Sequence, residues 1–368
     1  MIEFKNVTKV YDDGTIAVND LSLQAPTGKL TVLIGPSGCG KTTSMRMINR
    51  LIEPTSGTIS LDGVETQALN RVELRRSIGY VIQSAGLFPH LTIVDNIAAL
   101  PRLLGTNKTD ARNKALELLE RVGLDPNLAT RYPWQLSGGQ QQRVGVARAL
   151  ATDPPVLLMD EPFSAVDPIT RAQLQDEFLR LQRDIGKTIV MVTHDIDEAL
   201  KLGDQVAVLR QGGLLVQIAP PAHLLAHPAD GFVADFVGTA RGYHALSFVT
   251  ADQSVPITHE ATVQVGDDLS DHQSSDGSWV LSVSRSGAPL GWVQLDKTDG
   301  RTVTVEDIDI SGTVAQGSGT LRDMLNSVLS SPSGRGTVVD DHGSLLGTVT
   351  AEDVVSAIRA AKTGVLAP

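Results

Sequence analysis

The 368-residue chain has a single cysteine, Cys39, which excludes an intrachain disulfide and a cysteine metal cluster. Aromatic residues make up only 4% of it, too few for the clustered rings that cage a quaternary ammonium ion. No run approaches the roughly 18 unbroken apolar residues of a membrane span. The start, Met1-Ile2-Glu3-Phe4-Lys5, has no basic-then-apolar leader, so the chain is expected to stay in the cytoplasm. Basic residues are in the minority, 31 Lys/Arg against 42 Asp/Glu, for a net charge of −11. From Arg241 onward there are 8 basic and 16 acidic residues, net −8, leaving 23 and 26, net −3, in the first 240. An acidic second half argues against a nucleic-acid-binding tail.

The chain itself is ordinary for a soluble globular protein, 41% hydrophobic and 20% charged, and long enough for two or three domains. Its first two-thirds alternates β-rich runs with helix-period segments, which predicts an α/β domain. Lys29–Gly35, Val156–Asp160 and Thr188–Thr193 read as buried strands. Leu174, Phe178, Leu181 and Ile185 form one helical stripe, and Ala111, Ala115, Leu118, Leu119 and Val122 another. Periodicity weakens over 237–260, which reads as a linker. Beyond it come short strands and brief helices: a stripe of Leu321, Leu325, Val328 and Leu329, a hairpin of Gly336–Asp340 and Leu345–Val349, and a helix over Glu352–Ala361.

Between the first strand and the helical run Met45–Leu51 lies Gly35-Pro36-Ser37-Gly38-Cys39-Gly40-Lys41-Thr42, a complete G-x-x-x-x-G-K-[ST], followed by Thr43. Glycines let successive backbone N–H groups curl around a phosphate, and the helix start adds partial positive charge. Lys41 is placed to reach the β/γ-phosphates of a nucleotide, and the Thr42 hydroxyl to ligate Mg²⁺. Cys39, at a variable position of the loop, reads as a small filler rather than a reactive thiol. Asp160-Glu161 ends an apolar strand, the setting for a carboxylate pair at the C-terminal edge of a sheet. Asp160 is expected to hold Mg²⁺ through water, and Glu161 to polarise an attacking water.

Leu136-Ser137-Gly138-Gly139-Gln140, 20 residues before Asp160, resembles the signature of ABC ATPases. Other elements of that family follow in order. Tyr11 resembles the aromatic that stacks on adenine, Gln83 the glutamine that reaches the metal and the water, Ser164-Ala165-Val166-Asp167 the D-loop, and His194 the switch histidine. The resemblance spans residues 2–236 and implies a phosphate-loop nucleotide-binding domain with ATP and Mg²⁺ as cofactors. It also implies a head-to-tail pair with a second copy, in which ATP on one phosphate loop is capped by the signature of the other. The helix start after Ser137 would present N–H groups to the γ-phosphate, and His194 would hydrogen-bond that phosphate and the water.

Finer wording narrows the resemblance. Ile82-Gln83 followed by Phe88-Pro89-His90, and Phe163 through Arg171 with Val166 where Leu is usual, resemble the ATPases of quaternary-amine uptake systems (glycine betaine, choline, carnitine). Such a subunit works at the cytoplasmic face of the membrane beneath separate permease subunits, with an extracytoplasmic binding protein selecting the solute. Phe88-Pro89-His90 is where the permease is expected to dock. Another solute, such as an amino acid or ergothioneine, would use the same machinery. Soluble ABC ATPases of translation or DNA repair usually carry two motor halves or a coiled-coil insertion, neither of which is present. Residues 311–368 resemble a cystathionine-β-synthase (CBS) module, an α+β unit. Within it Gly347–Asp353 matches G-x-x-T-x-x-D, where Thr350 and Asp353 would hold a regulatory adenine nucleotide. Residues 261–310 resemble a degenerate partner, with Gln294 and Lys297 in place of that Thr and Asp. In some relatives the pair senses ionic strength.

Overall fold

The structure is a computed structural model that describes residues 1–164, 166–251, 255–269, 279–298 and 302–365. By its contacts the chain divides into two units, Met1–Gly238 and Thr239–Pro368. The first runs β1 (Ile2–Val10), β2 (Ile16–Ala25), β3 (Leu30–Ile34), α1 (Lys41–Ile48), β4 (Ser56–Leu61), β5 (Val64–Glu65), α2 (Arg71–Arg76), β6 (Ile78–Val81), α3 (Ile93–Leu103) and α4 (Lys108–Arg121). It continues with α5 (Gly138–Leu150), β7 (Val156–Asp160), α6 (Pro168–Ile185), β8 (Thr188–Val192), α7 (Ile196–Leu202), β9 (Gln205–Arg210), β10 (Leu214–Ala219), α8 (Pro221–Ala226) and α9 (Gly231–Val237).

Two sheets organise this unit. One is antiparallel, in the order β2-β1-β4-β5; the other is in the order β10-β9-β3-β8-β7-β6 and parallel except for the β10–β9 pair. Every residue of β3, β7 and β8 is buried, as strands covered on both faces require, and this is why their sequences are unbroken apolar runs rather than alternating ones. The register pairs Leu33 with Val192 and Asp160 with Val192, so β3, β7 and β8 end side by side. The phosphate loop, Glu161 and His194 all leave the sheet at that shared C-terminal edge, where open α/β sheets form their ligand crevice. Both helical stripes face inward, with Leu174, Phe178 and Leu181 buried on α6 and Ala111, Ala115, Leu118 and Leu119 on α4.

The second unit contains α10 (Arg241–Ala245), β11 (Thr262–Val263), β12 (Trp279–Val283), β13 (Pro289–Gln294), α11 (Leu295–Thr298), β14 (Ile308–Asp309), β15 (Val314–Gln316), α12 (Leu321–Ser330), β16 (Arg335–Val339), β17 (Leu345–Thr350) and α13 (Ala351–Val365). It is an α+β unit whose two sheets repeat one plan. A short strand pairs parallel with the first strand of a hairpin: β11 with β12 before β13, and β15 with β16 before β17. Gly291 and Gly347 hold matching places in the two hairpins, with φ of 145° and 149°. The halves also exchange edges. Thr258, ahead of the first half, bonds Thr348 of the second in both directions at 2.8 Å, and β14, ahead of the second half, pairs with β13 of the first.

Two sequence expectations change here. Residues 237–260 are not a free linker throughout: Leu246, Ala251 and Val255 are buried in one core with Ala315, Leu321, Met324 and Val328. Small and isolated apolar residues gave that stretch no period, yet each fills a place left by α12. On α12 itself the buried face carries Leu321, Met324 and Val328, whereas Leu329 is 70% exposed. A residue one step past Val328 lies about 100° around the helix, and Met324 takes the inward place.

Candidate nucleotide site

The site begins where β3 meets α1. Gly35 (φ 151°) and Gly40 (φ 96°) both tolerate no side chain: a Cβ on Gly35 would fall 2.2 Å from the Leu209 carbonyl oxygen, and one on Gly40 would fall 2.1 Å from that of Ala17. The loop is thus pressed between β2 and β9 in a conformation open only to glycine. Pro36, Ser37 and Gly38 complete its turn, and Thr42 and Thr43 follow on α1. Cys39 is fully buried with its Sγ against the Gly35 backbone, and burial pushes its thiol pKa up. It acts as filler. Lys41 is 7% exposed, and its Nζ donates to the carbonyls of Gly35 (2.7 Å) and Pro36 (3.0 Å). A buried ammonium held by neutral carbonyls at a helix start is a strong attractor for anionic oxygen.

Asp160 ends β7 within reach of α1. Its Oδ1 accepts from the Thr42 hydroxyl at 3.1 Å, and its Oδ2 accepts from Arg46 and from the Tyr80 hydroxyl at 3.5 Å each. Burial pushes the Tyr80 phenol up. Thr42 and Asp160 therefore bring two hard oxygen donors together, which fits a divalent cation that completes its shell with phosphate oxygens and water. Arg46 and Tyr80 were not singled out in the sequence. The available signal was spacing: Arg46 is four residues past Thr42 on one helix face.

Glu161 leaves β7 with φ 44°, a left-handed conformation uncommon for a residue with a side chain. Its N–H donates to the Val192 carbonyl of β8 at 2.9 Å, and the Ser164 hydroxyl donates to its carbonyl at 2.9 Å. That forced turn aims the carboxylate at two other expected residues. Gln83 Nε2 donates to Glu161 Oε2 at 3.1 Å, and His194 Nδ1 stands 3.2 Å from the same oxygen. Three residues from three loops converge on one point.

The remaining expected residues are held locally. Ser137 caps α5 in a reciprocal box: its Oγ accepts from the Gln140 N–H at 3.3 Å, and Gln140 Oε1 accepts from the Ser137 N–H at 2.9 Å, with Gly138 and Gly139 between them. The result is a fixed helix start with a backbone bare of side chains. Asp167 caps α6 through the Thr170 N–H at 3.0 Å, a bond that lowers its carboxyl pKa. Of the expected D-loop, Ala165 lies outside the described residues. Tyr11, 39% exposed, tips the hairpin whose second strand passes Gly40, and Lys9 Nζ sits 5.2 Å from its ring centroid.

Behind the switch, Asp195 caps α7 and lies 3.8 Å from Arg171, whose other nitrogen donates to the Val166 carbonyl at 3.0 Å. Glu198 of α7 is buried, bonded by Gln175 at 3.4 Å, and burial raises its carboxyl pKa. In the second unit, Thr350 and Asp353 bond each other: Asp353 Oδ2 accepts from the Thr350 N–H at 3.0 Å and from its hydroxyl at 2.5 Å. Thr320 and Asp323 make the same cap on α12. The pair thus has a structural task at the start of α13.

Residues 18–164 match the family model for the ABC transporter. Over 376 aligned residues the chain is 43% identical to the osmoprotectant import ATP-binding protein OsmV of Salmonella typhimurium, covering 99% of this chain and 97% of that protein. It is 42% identical to the glycine betaine/carnitine/choline transport ATP-binding protein OpuCA of Bacillus subtilis, over 97% of this chain and 96% of that one. Among solved structures, a dimeric bacterial ABC transporter cassette, MJ0796, is 37% identical with a TM-score of 0.54, covering 60% of this chain and 99% of that chain. The glycine-rich loop, carboxylate pair and capped signature occupy the matched region, and near-full-length identity extends the likeness through the second unit. The chain belongs to the ATP-binding subunits of ABC transporters and is an ATP-hydrolysing enzyme.

Proposed function

We propose that this ATPase drives uptake of a quaternary-amine osmoprotectant through separate permease subunits, working as a head-to-tail pair at the cytoplasmic face of the membrane. The observation that carries the reading is the convergence of Gln83 and His194 on Glu161 beside the Lys41 loop, within a chain similar along its length to osmoprotectant, betaine, carnitine and choline transport subunits. Among the described residues no helix is long and apolar enough to cross a membrane.

In this reading the glycine loop and Lys41 hold the β/γ-phosphates, and Tyr11 stacks on the adenine. Thr42, Asp160 and Gln83 would hold Mg²⁺. Bound there, the ion would supply positive charge against the phosphate oxygens. Glu161 orients a water and accepts its proton as the water oxygen attacks the γ-phosphorus and the bond to the β–γ bridging oxygen breaks. His194 steadies the γ-phosphate, and Ser137–Gln140 cap the nucleotide held by the other copy. The second unit, with its two repeated halves, serves as a paired CBS-like regulator of the motor.

The test is ATP hydrolysis by the transporter reconstituted with its permease and binding protein, against betaine, choline, carnitine, proline and ergothioneine. Stimulation by the quaternary amines is expected. Stimulation only by an unrelated solute overturns the substrate class and leaves the ATPase untouched.

A further inference from the structure

Arg148 lies on α5, the helix that starts at the signature, and it reaches out of that helix to another loop. Its Nη2 donates to the Ala85 carbonyl at 2.7 Å and its Nη1 to the Gly86 carbonyl at 2.6 Å. Both residues have φ 55°, and for Ala85, which carries a side chain, that is a disfavoured conformation. Gly145, one turn earlier on α5, faces Ala85: a Cβ there would sit in ordinary contact with Ala85 Cα at 3.5 Å. The Arg148 guanidinium also stands 5.9 Å from the Phe88 ring centroid. Burial lowers its pKa, the mark of a desolvated charge. Two charge-assisted bonds from one planar fork hold two adjacent carbonyls in fixed orientation.

This loop has two other anchors. At its start Gln83 bonds Glu161. At its end Asn96 of α3 accepts from the Phe88 N–H at 2.7 Å and donates to the carbonyls of Phe88, Leu91 and Thr92. At this second anchor Phe88 remains 46% exposed. A push on Phe88 therefore reaches Gln83 along a short strained segment, and it reaches α5 through the Arg148 fork and the Ala85–Gly145 contact.

We propose that Arg148 is the positioning residue that ties the 83–88 loop to the signature helix, so that a partner pressing on Phe88 moves Gln83 and the start of α5 together. The inference rests on the reading of Phe88 as part of the permease contact. A residue that merely held two segments together would show as lost stability alone. A transmitting one shows as lost coupling with the chemistry intact.

Two measurements test it on Arg148→Lys, which keeps the charge but not the fork. In the assembled transporter, basal hydrolysis and KM for ATP should stay near wild type, while stimulation by solute-loaded binding protein falls about tenfold, within the usual range of coupling energies. In the isolated subunit, amide hydrogen exchange over residues 84–91 should quicken, and the protection that ATP brings to α5 should shrink. Ala85→Gly, which relieves the backbone strain without touching the buried charge, should lower stimulation in the same direction and serves if the lysine variant folds poorly. Full stimulation in either variant, or unchanged exchange over 84–91, overturns the inference. If the wild-type assembly responds to no loaded binding protein, the functional reading fails instead, and the exchange measurement still decides the role of Arg148.

Discussion

The Glu161 carboxylate and the His194 imidazole face each other across 3.2 Å, Oε2 to Nδ1, with Gln83 on the same oxygen. The two come from the ends of neighbouring strands, and the left-handed turn at Glu161 brings them together. The carboxylate is thereby held in one direction, as a group that orients water must be.

Glu161→Gln should keep ATP binding but lower turnover by about 10²-fold or more, since the amide orients water without taking its proton. Steady-state hydrolysis and nucleotide titration check this, and size-exclusion with ATP should show a trapped dimer. Near-normal turnover would remove Glu161 from that role.

Gly40→Ala places a methyl group 2.1 Å from the Ala17 oxygen at φ 96°. The loop must shift, and the expected result is a loss of ATP affinity of at least about tenfold, the equivalent of roughly 1.4 kcal/mol. Titration with a fluorescent ATP analogue measures it, with Lys41→Ala as the matched loss of the ammonium.

Glu260 and Arg335 form a buried ion pair at 2.9 Å with side-chain exposures of 7% and 9%, and the Thr348 hydroxyl also donates to Glu260 at 2.8 Å. Glu260→Ala should destabilise the second unit by about 3–5 kcal/mol, because it takes the carboxylate from a buried guanidinium. Glu3→Ala, which breaks a surface pair with Lys5, should cost far less. Denaturation of the full chain, followed as two transitions, compares them.

Glu198 has its carboxyl pKa raised by burial. The folded state then holds its proton to higher pH than the unfolded chain, so stability falls as pH rises from the unfolded value through the folded one. Glu198→Gln removes that penalty and keeps a carbonyl for the Gln175 amide. Its melting temperature should exceed that of wild type at neutral pH and converge with it under acid, with about 2–4 °C for each kcal/mol relieved. Equal melting temperatures at neutral pH would contradict the direction.

Asp353→Ala removes the return half of the capping box, whose cap is Thr350, and should cost about 0.3–1.5 kcal/mol. Adding adenine nucleotide separates this role from ligand binding. If the cap is the whole role, nucleotide shifts the melting of wild type and variant equally. A larger shift in wild type than in the variant would assign the pair to a nucleotide.

Much of the site was legible because its chemistry is local. Gly35, Gly40, Lys41 and Thr42 are spaced along one strand–loop–helix, and Asp160-Glu161 follows an apolar run long enough to be a buried strand. Ser137 and Gln140 sit at the interval of a capping box. Arg46 and Tyr80 escaped notice because their target, Asp160, lies on a strand far along the chain, and only the sheet order brings it beside them.

The sequence by itself determined which backbone conformations the phosphate loop could adopt, which strands would be buried on both faces and where α5 and α6 would start. These follow from the missing Cβ of glycine, the apolar run and the side-chain cap, each a property of adjacent residues. Only the tertiary structure decided that Glu161 turns left-handed toward His194 and that Leu246, Ala251 and Val255 join the second core. The same holds for Arg148 clasping carbonyls more than 60 residues away and for Glu260 pairing with Arg335 across 75 residues. Contacts at such separations depend on strand order and register, and no local spacing encodes those.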